Sequence, residues 1–218
     1  MSITAVRRVN LRTQVLDQLR EAILDGQLTV GEHLNETELA SQFSVSRGTV
    51  REALRALEQA GLAESASHGR LVVRSFDATE VTELYEVRSF LECGAAVRLA
   101  RSTDREAKAD ALAEALPAED PSDLSEAVEQ DLAFHRRLCE LSGNGLLLAK
   151  WLELQDQMRI VIVAGAMNEG ADIPVIVTRA HHEPLVRMLR SGGEDGIIRA
   201  FADHMSRAGS FWVSRMGA

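Results

Sequence analysis

Apolar positions recur at helical spacing through most of the chain, and the breaks between them fall at glycine and serine. Val15, Leu19, Ala22 and Ile23 share a face and predict a helix from about Asn10 to Asp25, stopped by Gly26. Residues 26–34 predict a turn and a short extended piece. A short helix follows from Glu36 to Phe43, with Asn35 as N-cap and Glu38 three residues on. After a tight turn at Ser44-Val45, a third helix is capped by Ser46 and runs to Ala60, where Gly61 ends it. Leu62–Ser65 and Leu71–Arg74 predict two short strands around a turn at Ser67-His68-Gly69. Ser75–Ala78 is the expected hinge. Beyond it the pattern is helical only, over 79–101, 104–115, 121–142, 145–164, 176–190 and 194–215, with Pro121 in a first turn and a looser loop over Gly165–Pro174.

The fold class expected is therefore mainly α. A winged helix-turn-helix over 1–75 is followed by an antiparallel all-α bundle of six or seven helices over 76–218. Composition agrees. The 218 residues are 45% hydrophobic with only four Pro, enough apolar material for two cores. The longest apolar run, Ile160–Met167, is far short of a membrane span, and the N-terminus lacks a signal-peptide apolar region. Cys93 and Cys139 cannot staple a fold of this size, and a reducing cytoplasm is the expected location. A net charge of −9 argues against nucleic acid until it is divided along the chain. Residues 1–75 hold nine Arg against nine acidic residues, so the whole excess of acid lies in 76–218.

The neutral first part carries a reading head. Val50, Ala53, Leu54 and Leu57 line the inner face of the third helix, while Ser46, Arg47, Thr49 and Arg51 gather at its N-terminal end, where a recognition helix meets base edges. Arg pairs bidentately with guanine, the Thr methyl touches thymine, and Ser46 with the helix N-terminus suits a phosphate. His68, Gly69 and Arg70 at the hairpin tip are placed for the minor groove or backbone. The stretch from Glu38 to Leu57, with Val45-Ser46-Arg47-Gly48-Thr49-Val50-Arg51-Glu52-Ala53-Leu54 at its centre, resembles the GntR family of bacterial winged-helix transcription regulators over residues 12–74. That resemblance implies operator DNA as partner, with Ser46, Arg47, Thr49 and Arg51 as contacts and Thr37, His68 and Gly69 beside them. Three positions depart from the family pattern. Ser44 stands where a turn Gly is usual, Val30 where Pro is frequent, and Ser67 where the wing has Gly.

In the second part the informative residues are polar ones set in apolar stripes. Leu124, Val128, Asp131, His135 and Leu138 form one stripe, and Asp131 and His135 share its face. His182 leads a stripe with Leu185, Val186 and Leu189. His204 sits among Ile197, Ala200, Phe201 and Phe211. His182 and His204 lie eleven residues either side of Gly193, so an antiparallel hairpin sets them at one height. Three imidazoles and a carboxylate suit a borderline divalent ion, with zinc, nickel, iron and manganese all open. An ion pair or hydrogen-bonded core histidines explain the same residues without a metal. Arg88, in the stripe Val81, Leu84, Arg88, Leu91, Ala95, needs an anion: a small organic acid, or Glu92 one turn on. Tyr85 borders that face, and Arg159 is a second candidate contact. His181 points about 100° from His182 and is expected at the surface.

Residues 77–214 resemble the all-helical FCD sensor domain of the FadR-like branch, through Glu83-Leu84-Tyr85-Glu86-Val87-Arg88, Asp131-Leu132-Ala133-Phe134-His135, His182 and His204. The resemblance implies that Asp131, His135, His182 and His204 hold the metal, zinc first, and that Arg88 meets a carboxylate effector. The expectation is a homodimeric repressor controlled by a small acid. A metal-dependent hydrolase fused to a DNA reader and an architectural DNA-binding dimer are the alternatives.

Overall fold

The computed structural model describes residues 11–66, 69–119, 121–167 and 173–216. Contacts divide the chain between Ser75 and Phe76 into two compact units.

The first unit is a helix-turn-helix with a small sheet. Helix α1, Leu11–Leu24, buries Val15, Leu19 and Ile23 against α3. Helix α2, Glu36–Gln42, starts where the Asn35 side chain accepts from the Thr37 and Glu38 amides. Ser44 turns the chain with φ +54, the left-handed region that L-residues avoid. Helix α3, Arg47–Gln59, is capped by Ser46 and buries Val50, Ala53, Leu54 and Leu57. Strands β1, Ala63–Ser65, and β2, Leu71–Val73, pair antiparallel with Ala63 opposite Val73. The extended piece before α2 joins them. His33 bridges Val72, and the Leu34 amide donates to the Leu71 carbonyl at 2.9 Å.

The second unit holds six α-helices among the described residues. Helix α4, Ala78–Ala100, opens on a reciprocal cap between Asp77 and Glu80. It lies antiparallel to α9, Glu194–Val213. Arg101 at one end of α4 donates to Glu194, while near the other end a Cβ on Gly209 would stand 3.1 Å from that of Tyr85. Helix α5, Arg105–Ala113, packs on α8, Arg179–Ser191, and Arg105 donates to the Leu189 and Gly192 carbonyls at the α8 C-terminus. Helices α6, Leu124–Leu141, and α7, Gly145–Met167, complete the bundle. No helix among the described residues is long and apolar enough to cross a membrane.

Three boundaries differ from the sequence reading, those of α6, α7 and α8. Pro121 precedes α6 rather than opening it, because Asp123 takes the Glu126 amide and starts the helix there. Helix α7 continues through Gly165 to Met167, where a loop was expected. Gly165 serves contact rather than a turn: a Cβ there would meet the Trp212 ring of α9 at 2.7 Å. Residues 168–172 of that loop lie outside the described residues, and residues 175–177 form a 3₁₀ turn before α8.

The chain between the units is secured on both sides. The Ser75 amide and hydroxyl both donate to Glu64 at 2.9 Å, and Asp77 already belongs to the α4 cap.

Candidate functional site

The exposed end of α3 collects the predicted DNA residues. Ser46 Oγ accepts from the Thr49 amide at 3.1 Å and lies 2.9 Å from Thr49 Oγ1, so both hydroxyls are ordered by the cap itself. The Arg47 side chain is 63% exposed, with one nitrogen 3.9 Å from Glu36. Arg51 is held more firmly. Its Nε and Nη2 each donate to a Glu36 oxygen at 2.9 Å, a two-point pair across the α2–α3 angle. The hydrogen bond from Arg51 lowers the Glu36 carboxyl below its ordinary value, although partial burial opposes it. Thr37 is exposed in the first turn of α2, and Gly69 is exposed with φ +71. His68 lies outside the described residues.

The second unit brings polar side chains together inside its core. Asp131, His135, His182 and His204 are all buried, with ring centroids 4.9 Å apart for His135–His182 and 5.0 Å for His182–His204. Helices α6, α8 and α9 supply them. The hydrogen positions follow from their partners. Glu92 Oε2 lies 2.6 Å from His135 Nδ1, and a carboxylate can only accept, so Nδ1 carries the hydrogen and Nε2 presents a lone pair. The Thr178 carbonyl, 2.9 Å from His182 Nδ1, imposes the same arrangement there. The two Nε2 atoms then face each other at 3.0 Å, with His204 Nε2 3.4 Å from that of His135. Asp131 Oδ1 is 3.1 Å from His182 Nε2 and 3.8 Å from His135 Nε2. Burial lowers the His135 and His204 rings from their ordinary value, His204 the more strongly, which keeps both neutral and their lone pairs available near pH 7.

The three imidazoles form a group that could hold a metal ion, their ligand atoms all lying within 4.8 Å of one another. Zinc–imidazole bonds of about 2.0–2.1 Å set donors of one shell about 3.0–3.4 Å apart. A proton on His182 Nε2 would serve Asp131 alone, whereas a central cation would serve the three imidazoles, with Asp131 Oδ1 beside them 3.1 Å from His182 Nε2. The set is N/O only, the chemistry of a borderline divalent ion.

Arg88 lies beside this cluster and is 2% exposed. Its Nε donates to Glu92 Oε1 at 2.7 Å, and its Nη2 stands 3.7 Å from Asp131 with no hydrogen-bond partner. Burial works against its charge, but the fields of Glu92, Tyr85 and Asp131 outweigh that and raise it above the ordinary guanidinium range. The Glu92 pair foreseen as the alternative partner is therefore present, yet one donor of Arg88 stays unused. Tyr85 Oη and His204 Nδ1 are likewise buried without a partner. The Tyr85 ring faces the guanidinium, 5.4 Å from its centroid.

Arg159 is placed elsewhere. It donates to Glu129 at 2.9 Å and to Ser125 at 3.4 Å, both exposed on α6. Glu129 is two residues from Asp131 and so on the opposite side of that helix. His181 is half-buried rather than superficial, with its ring 4.5 Å from that of His204 because α8 and α9 converge there. Burial, and then the neighbouring His182, lower it to about 4. Glu92, the Thr178 carbonyl and Trp151 were not singled out as site groups in the sequence. Glu92 was visible only as a helical neighbour of Arg88, and a main-chain acceptor leaves no residue signature.

Comparison with known proteins gives a consistent picture. The family model for bacterial regulatory proteins of the gntR family matches residues 11–73, and that for the FCD domain matches residues 83–207. The chain is 28% identical over 205 residues to "Probable D-xylose utilization operon transcriptional repressor" of Paenarthrobacter nicotinovorans, covering 91% of this chain and 87% of that one. It is 26% identical over 220 residues to the gluconate operon transcriptional repressor of Bacillus licheniformis, covering 95% and 89%. The solved structure of E. coli McbR/YncC shares the fold, with a TM-score of 0.67 at 19% identity over 96% of this chain and 100% of that one.

Proposed function

This chain belongs to the GntR family of bacterial transcription regulators and carries an FCD domain, and from that premise we propose that it is a cytoplasmic repressor whose hold on operator DNA is set by a small carboxylate bound at a divalent metal. As a transcription regulator it is not an enzyme. One relative is named a gluconate operon transcriptional repressor and the other a probable D-xylose utilization operon repressor, which supports the sign of control. Residues 1–75 read the operator, and residues 76–218 sense and dimerise, in the manner of the FadR-like branch. Ser46, Arg47, Thr49 and Arg51 contact DNA, with Thr37, His68 and Gly69 at the flanks. A homodimer matches two reading heads to a palindromic site. Val87 and Phe90, exposed three residues apart on α4, supply apolar surface that a second copy would cover.

One observation carries the sensor reading: the Nε2 atoms of two buried imidazoles stand 3.0 Å apart, each ring having its Nδ1 on an acceptor. Asp131, His135, His182 and His204 would hold the ion, zinc first and nickel, manganese or iron as the other candidates. Bound there, it would offer a Lewis-acidic centre to an acid's oxygen. The unused Arg88 Nη2 and Tyr85 Oη supply the organic contacts. Arg159 would have to leave Glu129 and Ser125 to join them, so we assign it to α6–α7 pairing.

Elemental analysis and chelation provide the test. The purified protein is expected to carry about one divalent ion per chain and to melt at lower temperature after chelation. His182→Ala should lose the ion and the response to added organic acids while the first unit still binds DNA. Full metal occupancy in that variant, or a melting curve indifferent to chelator, would overturn the reading.

A further inference from the structure

Glu92 belongs neither to the proposed metal ligands nor to the acid contacts, yet it receives hydrogen bonds from three different helices. It is wholly buried. Its Oε1 accepts from Arg88 Nε at 2.7 Å and from Trp151 Nε1 at 2.9 Å, and its Oε2 from His135 Nδ1 at 2.6 Å. We infer that Glu92 is a positioning residue that fixes which nitrogen of His135 carries hydrogen and ties the acid-anchoring Arg88 to the metal site.

The donors differ in what they can do. Arg88 and Trp151 can only donate. The imidazole of His135 alone can exchange donor for acceptor at Nδ1. While Glu92 is a carboxylate, both oxygens accept, His135 keeps its hydrogen on Nδ1, and Nε2 stays bare toward His182 and His204. The same carboxylate holds Arg88 by Nε and leaves Nη2 unused. Three N–H groups aimed at its two oxygens favour the carboxylate over the acid form, which would have to donate. Acid anchor and metal ligand therefore share one counter-charge, so a shift of either moves the support of the other.

Glu92→Gln separates hydrogen placement from packing. An amide turned with NH₂ toward Oε1's partners would oppose two obligate donors. Turned toward His135 it opposes one, and that ring can yield by moving its hydrogen to Nε2. The variant is thus expected to convert His135 to the Nε2–H form and to place hydrogen on the nitrogen meant for the ion.

This inference rests on the metal reading above, so the experiment has two arms. The first is ¹⁵N NMR of the histidine rings in the metal-free full-length protein. The parent should show an exchange-protected Nδ1–H on His135, and Glu92→Gln an Nε2–H. The second is titration with cobalt(II), followed by absorption, where the variant should bind about 10–100-fold more weakly. A parent ring protonated at Nε2, or a variant with the parent's ring signals and cobalt affinity, would overturn the inference. Trp151→Phe keeps the carboxylate and removes one donor. It should retain the His135 signal and cobalt binding, and their loss there would show that packing, not hydrogen placement, is at stake. If the parent takes no cobalt, the metal reading fails, while the ring signals still decide the role of Glu92. If Glu92→Gln does not fold, the parent ring signals together with Trp151→Phe decide it.

Discussion

Ser44 sits between α2 and α3 with φ +54, among the described non-glycine residues the one with positive φ. A Cβ in that region costs on the order of 1 kcal/mol relative to glycine, and the exposed side chain offers no packing in return. Ser44→Gly is accordingly expected to raise the unfolding free energy of the first unit by about 0.5–1 kcal/mol, read from the shift of a urea midpoint at unchanged slope. The position was legible in advance as a departure, because the resembled family usually has a turn Gly where this chain carries serine. The buried polar residues were equally legible, since Asp131, His135, His182, His204 and Arg88 each interrupt an apolar stripe. The surroundings of those side chains were not. A helix register tells which way His135 points, but not that Glu92 and Trp151 come from two other helices to meet behind it.

At the scale of elements, α3 shows how one cap serves two ends. Ser46 satisfies the first turn and exposes Arg47 beside it, whereas Arg51 is drawn back onto Glu36. The two arginines should therefore differ in effect. Arg47→Ala is expected to cost about 1–3 kcal/mol on the operator and to relax its preference at one base. Arg51→Ala should weaken operator and unrelated DNA alike and lower the salt slope by about one. Fluorescence anisotropy on both DNAs across salt concentrations distinguishes these outcomes. Helix α7 makes the opposite point about glycine. Gly165 was read as the end of a helix, but its missing side chain admits the buried Trp212 ring. Gly165→Ala should overpack that contact and destabilise the second unit by about 1–3 kcal/mol in thermal or urea unfolding. Spacing along one helix cannot reveal this, because the demand comes from α9, nearly fifty residues later in the chain.

For the whole molecule, control requires that a bound acid favour one arrangement of the chain over another, since a ligand indifferent to both moves nothing. The path along the covalent chain is short. Ser75 is fastened to Glu64 within the first unit, and Asp77 is fastened within the α4 cap of the second. Inserting two Gly-Ser pairs after Phe76 is expected to leave metal content and DNA affinity near parental values while reducing the effect of the acid on DNA binding several-fold. Gel-shift titration with and without acid reads this directly, and an undiminished acid effect would show that the message travels by another route. Phe76, between these two, is itself buried. Because both fastenings are local to their own unit, a lengthened linker alters the distance between them without touching either, which is what makes the insertion a clean question to put to the chain.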